Sequence, residues 1–295
     1  MSDPEIEALR QLLAARPRPA GLAERRKRLD ALGAQYRMAT DVRVTPVDAN
    51  GVRAEWTDTS DADTSRAILF LHGGGYVSGS LESHRHMIAE AGRQACARTL
   101  AIGYRLAPEH PFPAALEDAL SGYAFLLAQG IEPRRIAIAG ESAGGGLALA
   151  ALVSLREAGQ ALPACAWLSS PWVDLELSGA SMATKAPVDP LIQRPYLEEL
   201  GHMYLAGADP RSPLVSPIYA ELRGLPPLLI QVGSAETLLD DAVRVAAAAG
   251  AADVEATLEI WPHMIHAWHL FHPQLAAGRR ALARVGAFIR ARLQL

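Results

Sequence analysis

The chain has 295 residues, half of which are hydrophobic, and its 28 basic and 32 acidic side chains give a formal net charge of −4. This length can bury a large core, and the small net charge gives no reason to expect a nucleic-acid partner. No uninterrupted apolar run approaches the roughly 18 residues that a bilayer span requires, so we predict no membrane span.

The first five residues include two acidic ones, Asp3 and Glu5, and lack the basic-then-apolar layout of a secretory signal. The two cysteines, Cys96 and Cys165, lie far apart in apolar surroundings. Such surroundings favour free buried thiols in a reducing compartment. We therefore expect a cytoplasmic protein.

Two helices are predicted at the start of the chain, over residues 5–16 and 21–36, with a proline- and glycine-containing break between them. The basic run at 25–28 is interpreted as the solvated side of the second helix. The first strand signal follows at 42–47. From there, strand and helix patterns interleave, which predicts one α/β domain with an appendage. The interruption at 178–217 contains a predicted helix over 194–205.

A glycine triplet follows a predicted buried strand at 67–71. After His72 come Gly73, Gly74 and Gly75, a run that costs considerable chain entropy to order. Backbone amides without side chains in the way are what an oxyanion hole requires. No Lys-Ser/Thr pair follows, as a phosphate-binding loop would demand. The triplet therefore predicts amide donors for a developing negative charge.

Two further segments carry polar residues. His84, Arg85 and His86 lack the spacing of additional ligands that zinc needs, so we expect no metal site there. The proline-rich stretch 104–115 has no nucleophile or base placed for chemistry. It is predicted to brace the glycine turn.

The pentapeptide 140–144, Gly-Glu-Ser-Ala-Gly, lies between a strand-like run at 136–139 and an alanine-rich helical run at 145–155. This strand, glycine-framed serine and helix order is the nucleophile elbow pattern. Side chains at Gly140 and Gly144 would collide with the neighbouring strand and helix. The pattern predicts a strained Ser142 as nucleophile. The N-terminus of the following helix and the Ala143 amide would be directed at the Ser142 hydroxyl and favour an oxyanion that forms there.

A serine hydroxyl needs a base and an orienting carboxylate, which in this fold follow in the order acid, then histidine. A strand-like run at 228–232 precedes a loop that carries Glu236, Asp240 and Asp241. Glu236 follows the strand by four residues, whereas the two aspartates fall where the next helix begins and complement its dipole. Glu236 is therefore the favoured acid, with Asp240 as the main alternative.

Three histidines follow the last strand signal at 257–261: His263, His266 and His269. His263 lies against Pro262 close to the strand end, and His269 would lie one turn along a helix that begins here. His266 is therefore the favoured base.

These motifs, with Ser170-Pro171-Trp172-Val173-Asp174-Leu175 and the segment 104–115, resemble the bacterial hormone-sensitive-lipase-like carboxylesterases, also called family IV esterases. The resemblance covers the chain from about residue 40 onward. It implies an α/β-hydrolase fold: a mostly parallel central sheet flanked by helices, formed by 41–177 and 218–295. Segments 1–40 and 178–217 would form a helical cap.

The resemblance also implies that Gly74, Gly75 and Ala143 supply the oxyanion amides while Gly73 makes the turn. Many members have an aspartate and a proline in the acid loop, where this chain has Glu236-Thr237. Expected substrates are short- to medium-chain esters, with no cofactor or metal, and a homodimer through an edge strand is compatible with the family. Lactone hydrolase, amidase and lipase remain alternatives. A non-catalytic receptor is disfavoured because Ser142 and His266 are intact.

Overall fold

The computed structural model describes residues 4–293, within which strands and helices alternate. The strands are β1 (Arg43–Ala49), β2 (Val52–Asp58), β3 (Asp63–Leu71), β4 (Ala97–Ile102), β5 (Ile136–Glu141), β6 (Cys165–Ser169), β7 (Leu228–Gly233) and β8 (Ala256–Trp261). The helices are α1 (Pro4–Ala14), α2 (Leu22–Ala34), α3 (Leu81–Ala95), α4 (Ala114–Ala128), α5 (Ala143–Glu157), α6 (Ser181–Thr184), α7 (Arg194–Leu205), α8 (Leu239–Ala251) and α9 (Ala276–Leu293).

All these strands form one sheet in the order β1-β2-β4-β3-β5-β6-β7-β8. β2 pairs antiparallel with β1 and β4, and the remaining pairs are parallel. Leu71 of β3 pairs with Gly140 of β5, and Gly233 of β7 pairs with Trp261 of β8. The carboxyl ends of the parallel strands therefore meet at one edge, where ligand sites of such sheets form.

The sheet is covered on both faces. Along β3, Leu69 and Leu71 pack into one apolar cluster with α5, whereas Ile68 and Phe70 pack into a second cluster with α3 and α9. Strands buried on both sides have no solvent-facing positions, which is why they are continuous apolar runs in the sequence.

The helices predicted before the first strand are present as α1 and α2, and the helix predicted over 194–205 is α7. Both cysteines are free thiols, but only Cys165 is buried, since Cys96 is half-buried, contrary to the expectation for that residue. No helix in the described part of the chain is long and apolar enough to cross a membrane.

Candidate active site

Ser142 occupies the sharp turn between β5 and α5. Its backbone has φ 55° and ψ −120°, in the region that non-glycine residues rarely adopt. A Cβ on Gly140 would lie 2.0 Å from the carbonyl oxygen of Gly144, and a Cβ on Gly144 would lie 2.0 Å from that of Leu71. The turn therefore requires both glycines, for the steric reason that the sequence indicated.

Three side chains that the sequence singled out lie in a continuous line. The Nε2 atom of His266 is 2.9 Å from the Ser142 hydroxyl oxygen, and its Nδ1 atom is 3.0 Å from Oε2 of Glu236. The other carboxylate oxygen of Glu236 accepts hydrogen bonds from the Gly233 amide at 2.6 Å and the Ser170 hydroxyl at 2.8 Å. Ser142, His266 and Glu236 are all buried.

The alternative acids have other partners. Asp240 accepts a hydrogen bond from the Ser181 amide, and Asp241 accepts from the amides of Val173 and Asp174. Both lie in the first turn of α8, as expected from their position after the strand. They connect the loops on either side of the site, and Glu236 is the carboxylate of this loop that meets the imidazole.

The alternative histidines also lie elsewhere. The ring of His269 contacts the Ser169 hydroxyl at 2.9 Å and the Gln231 side-chain oxygen at 2.8 Å, and His263 is exposed. The prediction that a helix begins at His266 was wrong. The segment forms only a short 3-10 turn over Trp268–Phe271, and α9 begins at Ala276, after Pro273.

The glycine turn presents free amides beside the serine. Gly74 and Gly75 have φ values of 115° and 66°, which disfavour any side chain. Between residues 4 and 293, their amides donate to no protein acceptor, whereas the Gly73 amide donates to Nε2 of His84 at 3.2 Å. Ala143 is the first residue of α5, so its amide has no intrahelical partner.

The loop at 104–115 braces this turn, as its composition suggested. The Tyr104 hydroxyl donates to the His72 carbonyl at 2.8 Å, and the two rings stack with centroids 4.2 Å apart. The Ala107 amide donates to the Tyr76 carbonyl at 2.9 Å. Burial lowers the pKa of His72 to about 3, so this imidazole is neutral near pH 7.

A second carboxylate that was not predicted, Glu141, is buried immediately before the serine. Its Oε2 atom is 3.1 Å from Nε2 of His84, and its Oε1 atom is 3.4 Å from Nε2 of His266. The available signal was an acidic residue at the end of a strand that is otherwise apolar. His84 had been considered only as a metal ligand.

Charges around His266 favour its protonated form. Burial lowers its pKa, but the hydrogen bond to Glu236 and the negative charges of Glu236, Glu141 and Asp189 outweigh burial and raise the pKa to about 9. The pKa of Glu236 is itself raised, chiefly by burial. The imidazole is thus surrounded by groups that stabilise a proton taken from a neighbouring hydroxyl.

A cavity of about 520 Å³ opens onto these residues. Ser142, Glu141 and His266 line its floor together with Gly74 and Gly75, and the N-terminal segment and the α7 region supply most of its remaining wall. The apolar part of that wall includes Leu29, Leu32, Ile192, Leu197, Leu200 and Phe271. The space suits an uncharged acyl or alcohol group.

The basic run at 25–28 is not simply a solvated helix face. Arg25 forms a 2.9 Å ion pair with Glu199, Arg26 donates to the Val77 carbonyl, and Arg28 donates to carbonyls in the preceding loop. Lys27 alone of the four is mostly exposed. The interpretation was wrong for the three arginines because α2 lies against other parts of the chain, which the local pattern does not reveal.

The chain is similar along its length to known esterases. A family model described as the α/β-hydrolase fold matches residues 68–270. An acetyl-hydrolase of Streptomyces hygroscopicus is 46% identical, over 98% of this chain and 97% of the relative.

Two solved structures are similar in fold and sequence. An esterase from the bacterial hormone-sensitive lipase family has a TM-score of 0.97 and 43% identity, covering 99% of both chains. The esterase EstE5, in crystals soaked with p-nitrophenyl butyrate, has a TM-score of 0.96 and 45% identity, covering 100% of both chains. The chain therefore belongs to the α/β-hydrolase fold family, within the bacterial hormone-sensitive lipase family, and is a carboxylic ester hydrolase.

Proposed function

We propose that the chain hydrolyses short- to medium-chain carboxylic esters through an acyl-enzyme, with Ser142, His266 and Glu236 as the catalytic triad. The proposal rests on one observation, the unbroken sequence of contacts from the serine hydroxyl through the imidazole to the buried carboxylate. A hydroxyl is a weak nucleophile near neutral pH, and such a line of contacts is what activates it.

In the first step, the Ser142 oxygen attacks the ester carbonyl carbon while Nε2 of His266 takes the hydroxyl proton. The carbonyl electron pair moves onto the oxygen, which the amides of Gly74, Gly75 and Ala143 stabilise. The imidazolium then gives its proton to the departing alcohol as the tetrahedral intermediate collapses. Water repeats the sequence on the acyl-enzyme and releases the acid.

Glu236 holds the imidazole in the tautomer that leaves Nε2 free to accept. Two donors, the Gly233 amide and the Ser170 hydroxyl, fix one carboxylate oxygen, so that the other faces Nδ1. The carboxylate also stabilises the imidazolium without itself becoming protonated. This function suits a buried carboxylate with strong local donors.

The proposed substrate range is supported by the cavity and by two similar proteins. The cavity above Ser142 has a largely apolar wall and a volume of about 520 Å³, which accommodates a short acyl chain and an alcohol group. The soaking of EstE5 with p-nitrophenyl butyrate, a four-carbon acyl ester, supports this range. The acetyl-hydrolase relative favours including acetyl esters in the test series.

We propose that segments 1–40 and 178–217 form a cap over the catalytic domain formed by 41–177 and 218–295, of which residues 1–3 and 294–295 lie outside the described residues. Contacts between the two segments support the assignment: Arg10 donates to the Val188 carbonyl at 2.8 Å, and Arg18 lies 3.3 Å over the Tyr196 ring. Not all of the first segment is cap-like, since Ile6 is buried in the same core as α3 and α9.

A homodimer through the edge strand β8 is proposed on two grounds. β8 is the last strand of the sheet, so one side of its backbone has no strand partner among residues 4–293. It also carries Ile260, one of the few exposed large hydrophobic side chains, at 46% exposure. Light scattering of the wild type should give twice the chain mass, and Ile260→Lys should give a monomer; a wild-type monomer at assay concentration rejects the pairing.

The triad is tested with p-nitrophenyl butyrate. Ser142→Ala should lower kcat by several orders of magnitude, on the scale of about 10⁶ for loss of a triad nucleophile, and should abolish labelling by a fluorophosphonate. Ser154→Ala, on the same helix but outside the cavity lining, is the matched control and should keep wild-type rates. Retention of most of the activity in Ser142→Ala refutes the assignment.

A further inference from the structure

A buried pair of side chains connects the oxyanion turn to the nucleophile elbow. Glu141 and His84 are 3% and 1% exposed, and they meet at 3.1 Å. The Gly73 amide donates to the same His84 nitrogen at 3.2 Å. A Cβ on Gly73 would lie only 1.8 Å from the Glu141 carboxylate, so the turn packs directly against that group.

The hydrogen bonds around Ser83 orient the His84 ring. The Ser83 hydroxyl donates to the Ser80 carbonyl at 2.9 Å, so its oxygen accepts from Nδ1 of His84 at 2.8 Å. The opposite nitrogen, Nε2, lies close to both the Gly73 amide and Glu141. On the neutral ring it accepts from the Gly73 amide, and on the imidazolium it donates to the Glu141 carboxylate, so it bonds to one of them at a time. Ser80 and Ser83 also form the capping box of α3, so the ring is held by the start of that helix.

The other oxygen of Glu141 faces the catalytic centre. Oε1 lies 3.4 Å from Nε2 of His266, the atom that contacts the Ser142 hydroxyl at 2.9 Å. One carboxyl group thus lies between two imidazoles, and each contact uses a different oxygen. A group at this point contacts both the turn that receives negative charge and the base that receives the proton.

We propose that Glu141 and His84 form a positioning pair for ester hydrolysis, which fixes the Gly73–Gly75 turn against the elbow and places a second carboxylate beside Nε2 of His266. This inference rests on the proposed triad. When the Ser142 oxygen bonds to the carbonyl carbon, its proton moves to Nε2 of His266, and the new N–H lies between the substrate oxygen and Oε1 of Glu141. No atom is transferred to Glu141.

Two consequences distinguish this function from simple packing. Removing the Glu141 charge should weaken the proton affinity of His266, because that charge is one of the causes that raise the imidazole pKa. Removing His84 should leave that charge in place but release the Gly73 amide and the turn. The first change therefore affects both kcat and the pH profile, and the second affects kcat alone.

The experiment compares Glu141→Gln, Glu141→Asp and His84→Gln as purified full-length chains on p-nitrophenyl butyrate across pH. Glu141→Gln should lower kcat by roughly 10- to 100-fold, the range for losing one charged hydrogen-bond partner, with KM changed by less than about threefold. The acidic limb of the pH–rate profile of Glu141→Gln should move down by about one pH unit. Glu141→Asp should keep the limb near the wild-type position, and His84→Gln should lower kcat by about tenfold without moving it.

The matched control is Glu55→Gln, which removes another buried carboxylate, paired with Arg85 on the same helix α3 and outside the cavity lining. The proposal is wrong if Glu141→Gln behaves like this control, with an unmoved limb, or if His84→Gln keeps wild-type kcat. If Glu141→Gln does not fold, Glu141→Asp and His84→Gln still decide, since a moved limb in either contradicts the assigned functions. Fluorophosphonate labelling of Ser142 tests the triad separately, so failure of the pair leaves that result standing.

Discussion

Replacing Glu236 with glutamine tests the acid of the triad at the level of single hydrogen bonds. Oε1 of Glu236 accepts from two donors, the Gly233 amide and the Ser170 hydroxyl, while Oε2 faces Nδ1 of His266. A glutamine must place its oxygen toward the two donors. Its NH₂ group then faces Nδ1, which must become an acceptor.

An imidazole that accepts at Nδ1 carries its proton on Nε2, the nitrogen that faces Ser142. It cannot then take the hydroxyl proton. We expect kcat/KM to fall by about 10⁴-fold, or about 5.5 kcal/mol, the size seen when the orienting carboxylate of another serine triad becomes an amide. Glu236→Asp, which keeps the charge but shortens the side chain, should lose less.

The fold should survive the change. Burial raises the pKa of Glu236, so ionising it above its ordinary pKa of 4.5 costs more in the folded chain than in the unfolded one. A neutral glutamine removes that cost above pH 4.5, and the thermal midpoint at pH 7 should stay near the wild-type value. A lower kcat/KM with an unchanged thermal midpoint then shows that the substitution affects catalysis and not folding.

The assay is initial-rate hydrolysis of p-nitrophenyl butyrate, with Asp240→Asn as the matched control. That variant makes the same carboxylate-to-amide change four residues further along the chain, in the first turn of α8, where the partner is the Ser181 amide. Its kcat/KM should stay within about tenfold of the wild type. A larger defect in Asp240→Asn than in Glu236→Gln would transfer the acid function to Asp240 and refute the reasoning.

Three further outcomes are expected. The charges of Glu236 and Glu141 outweigh burial and raise the pKa of His266. The pH profile of kcat/KM should therefore have its acidic limb above pH 6.5, because activity rises as the base loses its proton. An acidic limb at or below pH 6.5 contradicts this expectation. Gly73→Ala, with a Cβ 1.8 Å from the Glu141 carboxylate, should lower kcat by at least about 100-fold, whereas Gly21→Ala, which meets nothing within 4 Å, should not. Leu200→Ala removes the side chain above Gly75 and should shift the preferred acyl chain toward longer esters in a C2–C12 series.

The chemistry of the site could be predicted from sequence because each part has a local cause. A serine with φ 55° needs glycines on both sides, and a turn of free amides needs consecutive glycines, so both are visible without any knowledge of distant contacts. The order of the segments then supplied Glu236 and His266. Parallel pairing brings the carboxyl ends of β5, β7 and β8 to one edge, which converts order along the chain into proximity.

Contacts between elements could not be predicted in the same way. His84 and Glu141 are separated by 57 residues and meet because α3 shares an apolar cluster with β3 and β5. Likewise, the three arginines of α2 have partners in loops and in α7 that no periodicity records. Strands β2, β4 and β6 also produced no prediction. Val52–Asp58 alternates apolar and polar residues, a strand signal that was overlooked, and Ala97–Ile102 follows a helix without an intervening turn signal.

The negative charges around His266 have two opposite effects on the rate. Glu236, Glu141 and Asp189 all favour the protonated imidazole, which stabilises the state reached when Ser142 has lost its proton. The same charges reduce the fraction of neutral base at any pH below the imidazole pKa, about tenfold for each unit. In the proposed mechanism, the free amides of Gly74, Gly75 and Ala143 act only on the oxyanion and carry no such cost. Adding carboxylates near the base therefore helps only at alkaline pH, whereas tightening the glycine turn, which the Glu141–His84 pair contacts, should raise the rate at every pH.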